Sequence, residues 1–175
     1  PADARRALVV GWIGSPATEH YLLPLLPVLQ AVCAGGRARL VLVGASAGLA
    51  QSLPGVPVQI QPWVEQTEAA QIADFDIGIM PLPDEPWERG KCGYKLIQYM
   101  ACGLPVVASP VGVNRDIVEP GLTGYLAGDA TQWQQAFETL LQDAALRQRL
   151  GAAGRQRVTQ VYSMQVQGAR IAALL

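Results

Sequence analysis

Lys91 and Lys95 are the only lysines in the chain, and they stand four residues apart in the run Trp87-Glu88-Arg89-Gly90-Lys91-Cys92-Gly93-Tyr94-Lys95. A helix is expected to start at Tyr94, so both ammonium groups fall at a helix N-terminus. A cation there opposes the helix dipole. The placement makes chemical sense when an anion lies between the lysines, because helix N–H groups and ammonium groups together form a diphosphate site. Lys95 is expected in the first turn, with Gly93 and Tyr94 beside it. Lys91, on the glycine-flanked approach, is expected to be more mobile and to close over the ligand. The competing reading is a solvated helix end with no ligand.

Other loops offer weaker chemistry. Gly11-Trp12-Ile13-Gly14-Ser15 follows the apolar run Leu8-Val9-Val10. Gly11, Gly14 and Ser15 can bring backbone N–H groups up to a phosphate, or simply make a tight turn. The pattern is G-x-x-G and lacks the third glycine of a dinucleotide fingerprint. Gly44-Ala45-Ser46-Ala47-Gly48 reads more readily as a turn than as a phosphate loop. Ser109-Pro110-Val111-Gly112-Val113-Asn114 offers backbone donors and the Asn114 side chain, or is a plain loop. Trp63 can stack on a flat ring such as a base, or serve as a rim or core tryptophan. His20, the single histidine, and the three cysteines are read as structural.

The elements that must hold these residues follow from the hydrophobic pattern. Leu8-Val9-Val10, Leu40-Val41-Leu42-Val43, Ile77-Gly78-Ile79-Met80 and Pro105-Val106-Val107-Ala108 are near-continuous apolar runs, with Val58-Gln59-Ile60 a weaker fifth. Such runs suit parallel strands covered on both faces. Helices are expected over 21–33, with its regular part starting at or just before Pro24, over 67–73, and over 94–101. The alternation specifies a doubly wound, Rossmann-like parallel α/β sheet with right-handed crossovers. Beyond residue 129 the pattern turns helical. Asp129 is placed to cap a helix with Trp133, Phe137, Leu140 and Leu141 on one stripe, and two more helices cover 146–159 and 163–175. This tail is expected to pack across one side of the sheet. The whole of 1–175 reads as one domain.

Composition narrows the function classes. Half of the 175 residues are hydrophobic and 15% are charged, which excludes a disordered chain. Thirteen basic and 14 acidic residues, a net charge of -1, argue against general nucleic-acid or membrane-surface binding. No apolar run approaches the roughly 20 residues needed to cross a bilayer. Cys33, Cys92 and Cys102 are odd in number and lack metal-ligand spacing, so neither a disulfide framework nor a zinc site is expected. Asp74 and Asp76 have Asp-x-Asp spacing but lead into a strand and are expected to serve its start. Unpaired cysteines fit a reducing, cytoplasmic setting. The chain begins at Pro1, with a strand-like run close behind, and is expected to be part of a longer protein without a signal segment.

At Tyr99-Met100-Ala101-Cys102-Gly103-Leu104-Pro105-Val106-Val107-Ala108 the sequence resembles the group 1 glycosyltransferases of the GT-B fold, which carry an E-A-M-A-C-G-x-P-V-V segment. Ala73-Asp74-Phe75-Asp76-Ile77-Gly78-Ile79-Met80-Pro81 is similar to the family's A-D-x-x-x-x-P-S stretch, and Val111-Gly112-Val113-Asn114-Arg115-Asp116-Ile117-Val118 to its G-G-x-x-E-I-V loop. Glu119 to Leu126 looks like the turn and strand that follow. The resemblance implies the half of a two-domain enzyme that binds a nucleotide diphosphate sugar, usually retaining and free of divalent metal. It also implies an N-terminal acceptor domain in the same protein, as in cell-envelope polysaccharide synthesis. The inner face of the membrane is an option for the full-length enzyme.

The family's E-x7-E pair falls on Gly90 and Gln98, and its Arg and Lys after the first strand on Trp12 and roughly Thr18. By resemblance Gln98 would then hold the ribose hydroxyls. Glu88 would stand in for the missing first glutamate, and Lys91 and Lys95 would supply the cations. Glu88 and Lys95 are thus the candidate catalytic residues. Two rivals stay open. One is an NAD-type dinucleotide-binding domain of an oxidoreductase, although no acid ends the run Leu40-Val41-Leu42-Val43-Gly44. The other is a non-catalytic nucleotide-binding module, motivated by the missing glutamates.

Overall fold

The computed structural model describes residues 6–172. Six parallel strands form one sheet: β1 (Leu8–Ile13), β2 (Ala38–Val43), β3 (Val58–Gln61), β4 (Ile77–Met80), β5 (Val106–Ala108) and β6 (Gly124–Leu126). Their order is β3-β2-β1-β4-β5-β6. The chain winds outward from β1 to β3, returns, and winds the other way from β4 to β6. The direction therefore reverses between β1 and β4, and the loops there diverge to leave a crevice at the carboxyl ends of the strands. The expected Rossmann-like doubly wound sheet is what the chain forms.

Among the described residues there are eight α-helices: α1 (Leu26–Cys33), α2 (Glu68–Ala73), α3 (Pro86–Arg89), α4 (Tyr94–Ala101), α5 (Asn114–Ile117), α6 (Ala130–Gln142), α7 (Ala144–Arg157) and α8 (Met164–Ala172). Strand side chains alternate between two cores, as the two-residue strand period requires. Val10, Trp12, Leu40, Leu42, Ile77, Ile79 and Val107 pack with α1 and α6. Val9, Ile13, Val41, Val43, Met80, Val106 and Ala108 pack with Leu96, Tyr99 and Met100 of α4. Asp76, expected to serve the start of the strand it leads into, instead accepts from the Val9 N–H of β1 at 2.7 Å.

Three expectations are corrected. The segment expected to be helical from about Pro24 is a 3-10 helix over Glu19–Leu25, and the regular helix begins only at Leu26. Pro24 has no N–H to give to an α-helical ladder, and its ring fixes the local turn. Strand β1 runs on to Ile13, three residues past the apolar run read from the sequence. The tail is also not confined to one side of the sheet. Asp129 caps α6 by accepting from the Gln132 N–H at 2.8 Å, and Trp133, Phe137 and Leu140 pack on the α1 side. Helix α7 keeps Leu146 and Leu150 in that core and then crosses. Gly151 lies so close to the turn after α4 that a Cβ would stand 1.9 Å from the Gly103 carbonyl oxygen. Beyond it, Val158 and Tyr162 pack against the other core. The last three residues of the helix expected over 163–175 lie outside the described residues.

Candidate functional site

The cleft at the reversal point has a volume of about 510 Å³. Its floor is the end of β1 with the Gly14-Ser15-Pro16 loop, its back is Gly44 after β2, and its wall is Tyr94, Lys95 and Gln98 of α4, joined by Trp63 and Glu68. The wall is fixed by one buried hydroxyl. Tyr99 accepts from the Ile13 N–H at 2.9 Å and donates to the Ile79 carbonyl at 3.2 Å, tying α4 to the ends of β1 and β4 together. Burial pushes this phenol's pKa up, so it stays a neutral donor and acceptor.

Two glycines keep the floor open. Gly44 has φ +80°, and a Cβ there would lie 2.3 Å from the Gly14 carbonyl oxygen, so the loops after β1 and β2 meet backbone to backbone. Gly93, at φ +67°, starts α4 in a left-handed conformation, and a Cβ would meet Ile117 at 2.3 Å. It caps the helix with its carbonyl, which accepts from Leu96 and Ile97. No side chain caps α4, so the N–H groups of Tyr94 and Lys95 stay available to an anion.

Lys95 projects from that first turn with Nζ 4.9 Å from the centre of the Trp12 ring. Burial, and secondarily the nearby charge of Lys91, brings its pKa down to about 8. A half-buried ammonium over an aromatic face, with no salt bridge to an acid among the described residues, is poised to gain from an incoming anion. Farther along α4, at Gln98, the polarity reverses. Glu68 accepts a hydrogen bond from Trp63 Nε1 and another from Gln98 Nε2. The Trp63 ring remains half exposed.

The structure thus brings together Gly14, Ser15, Trp63, Tyr94, Lys95 and Gln98 among the residues singled out from sequence. Gly93 stands behind them as the cap of α4. The others lie elsewhere. Gly11 is buried within β1, where Phe75 occupies the space a Cβ would need, so it is a packing glycine and not part of a phosphate loop. Lys91 lies outside the cleft, its Nζ 5.5 Å from the centre of the Tyr21 ring, and so is not placed over the ligand space. Glu88 is buried and accepts from the Tyr21 hydroxyl, whose pKa is thereby pushed up to about 12. It does not face the cleft with Lys95. Asn114 is also buried, and its amide donates to the Ser109 carbonyl at 3.0 Å, closing its own loop. A buried polar group needs a partner, and both side chains found theirs inside the protein.

Glu68 was missed from the sequence. Acids are common in a helix's first turn, where the dipole favours them, so nothing in the local pattern marked it. Its spacing five residues after Trp63 was the only available signal.

A doubly wound parallel sheet with a cleft at its reversal point defines a Rossmann-like α/β domain. The chain belongs to the group 1 glycosyl transferases, whose family model matches residues 5–143. It is 34% identical over 100 residues to D-inositol 3-phosphate glycosyltransferase of Pseudarthrobacter chlorophenolicus, a match covering 56% of this chain and 23% of that protein. Sucrose-phosphate synthase of Thermosynechococcus elongatus superposes with a TM-score of 0.78 and 26% identity, over 99% of this chain and 45% of that one. Anabaena Alr3699/HepE, solved in complex with UDP, superposes with a TM-score of 0.77 and 20% identity, over 97% of this chain and 48% of that one. The chain therefore spans about half the length of these two solved proteins. Among the described residues no group of three His, Cys, Asp or Glu could hold a metal ion, and no helix is long and apolar enough to cross a membrane.

Proposed function

We propose that this chain is the donor-binding half of a glycosyltransferase that moves a sugar from a nucleoside diphosphate to an acceptor, with retention and without a divalent metal. The observation that carries the reading is Lys95, half-buried at the start of α4, which no side chain caps, and opening onto a cleft at the sheet's reversal point. The diphosphate lies against the first-turn N–H groups and Lys95, and the base rests on the exposed face of Trp63. As the sugar departs, negative charge builds on the leaving diphosphate. A fixed ammonium and oriented N–H groups stabilise that charge more than they stabilise the intact donor, which is the origin of rate enhancement.

The acceptor belongs to an opposing N-terminal domain, as the span of about half of the two solved proteins suggests. The chain alone then binds a donor but transfers nothing, because transfer needs both reactants in near-attack geometry. The dinucleotide reading has no comparable support, since β2 ends on Val43 and is followed by Gly44 with no carboxylate, and Gly11 is not in a loop. Calorimetric titration with UDP, GDP, ADP and NAD tests the proposal. Tight binding of one nucleoside diphosphate is the expected result. A preference for NAD, or no binding at all, would overturn it. In the full-length protein, transfer is expected to survive EDTA, and a complete loss restored by manganese would overturn the metal-free reading.

A further inference from the structure

We infer that Glu68 selects a ribonucleotide over its 2′-deoxy counterpart, by accepting hydrogen bonds from the vicinal hydroxyls of the ribose. The inference rests on the nucleotide reading above and assigns a residue of the same cleft. Gln98 comes three residues after Lys95 on α4, a rise of about 4.5 Å along the helix axis. Glu68, hydrogen-bonded to Gln98, thus meets α4 about one turn beyond the residue that carries the ammonium. In a nucleoside diphosphate the ribose is the group attached to the first phosphate. A ligand with phosphates at Lys95 and its base on Trp63 therefore presents its sugar hydroxyls in this stretch.

The chemistry of the carboxylate agrees. An ionised carboxylate only accepts, and it has about four lone-pair positions. Trp63 and Gln98 occupy one each with N–H donors, leaving the rest for a ligand that donates. Phosphate oxygens, which accept and carry negative charge, are repelled, whereas a pair of hydroxyls fits. The two donors come from different elements, the loop after β3 and helix α4, so they hold the carboxylate from two sides before any ligand arrives. Such preorganisation removes much of the ordering cost of binding. Gln98 is then a positioning residue, its amide nitrogen already engaged by Glu68.

Titration of this chain with UDP, GDP and ADP, each beside its 2′-deoxy form, and with inorganic pyrophosphate tests the inference. Loss of one charge-assisted hydrogen bond corresponds to about a ten- to hundred-fold preference for the ribose form in the wild type. Glu68→Gln is expected to reduce that preference to less than about three-fold while leaving pyrophosphate affinity within about two-fold. Glu68→Asp keeps the charge but shortens the reach, and is expected to lose the preference as well. It also serves if Glu68→Gln fails to fold. An unchanged preference in both variants overturns the inference and leaves the nucleotide reading standing. So does equal wild-type affinity for ribose and deoxyribose forms. Silence of the wild type toward every nucleotide overturns the nucleotide reading itself, and this inference with it.

Discussion

Lys91 and Lys95 are separated by one helical turn of sequence and live in different chemistry. Lys95 stands over Trp12 in the cleft wall, partly stripped of water. Lys91 stands over Tyr21, whose hydroxyl is anchored to the buried Glu88, on a loop outside the cleft. Both are cations on aromatic faces, yet only Lys95 opens onto space where a ligand fits. Residue type and spacing mark a place where an anion is welcome. Packing decides which of two equivalent side chains receives it.

The sharpest way to break this comparison is to remove each lysine in turn. Lys95→Ala is expected to weaken nucleoside diphosphate binding by about ten- to a hundred-fold, with little change for the nucleoside, as read by calorimetry. Next in size is a pH effect. With the pKa of Lys95 at about 8, its charge falls away as pH rises from 7 to 9, and diphosphate affinity should fall by up to about ten-fold. A bound anion favours the charged form, so binding near pH 8 should take up protons, measurable by titration in buffers of different ionisation enthalpy. The same lowered pKa has a consequence for stability. Between about 8 and the usual lysine value of 10.5, the unfolded chain binds more protons than the folded one, so this group lets stability rise with pH across that window.

A smaller effect is expected on the Lys91 side. Tyr21→Phe leaves the buried Glu88 without its hydroxyl partner and should cost about 1–3 kcal/mol of stability in a denaturant titration. Diphosphate affinity should hardly move. Smallest of all, Lys91→Ala should change stability by a few tenths of a kcal/mol and affinity by no more than about three-fold. A loss there matching that of Lys95→Ala would erase the distinction between the two lysines.

The sheet was legible because buried parallel strands leave long apolar runs, and β1, β2, β4 and β5 each show one. Strand β6 is only three residues long and came from family resemblance, since Gly124-Tyr125-Leu126 is too short to show a period. Within the site, the residues carried by α4 were readable because a helix fixes its neighbours at known offsets. Lys95 and Gln98 share a face for that reason. What stayed hidden depended on contacts between distant segments. Glu68 reaches the cleft because α2 packs beside α4, and Glu88 leaves it because Tyr21, 67 residues earlier, supplies a hydroxyl. The crossing of α7 was hidden too, since the helix meets one core through Leu146 and Leu150 and then α4 and its following turn through Gly154 and Gly151, which leave no apolar stripe.

That crossing sets where the chain can be cut. A version ending after Gln142 would keep every strand and every residue of the cleft. It would also strip Leu146 and Leu150 from one core and uncover Met100 where Gly154 now lies against it. Met100 follows Tyr99, the residue whose hydroxyl pins the cleft wall to the sheet. Helix α7 therefore acts as a strap behind α4, the helix that walls the cleft, without touching the cleft itself. A shorter expression product would be expected to lose its grip on a ligand through loosened walls, with every contact residue still present.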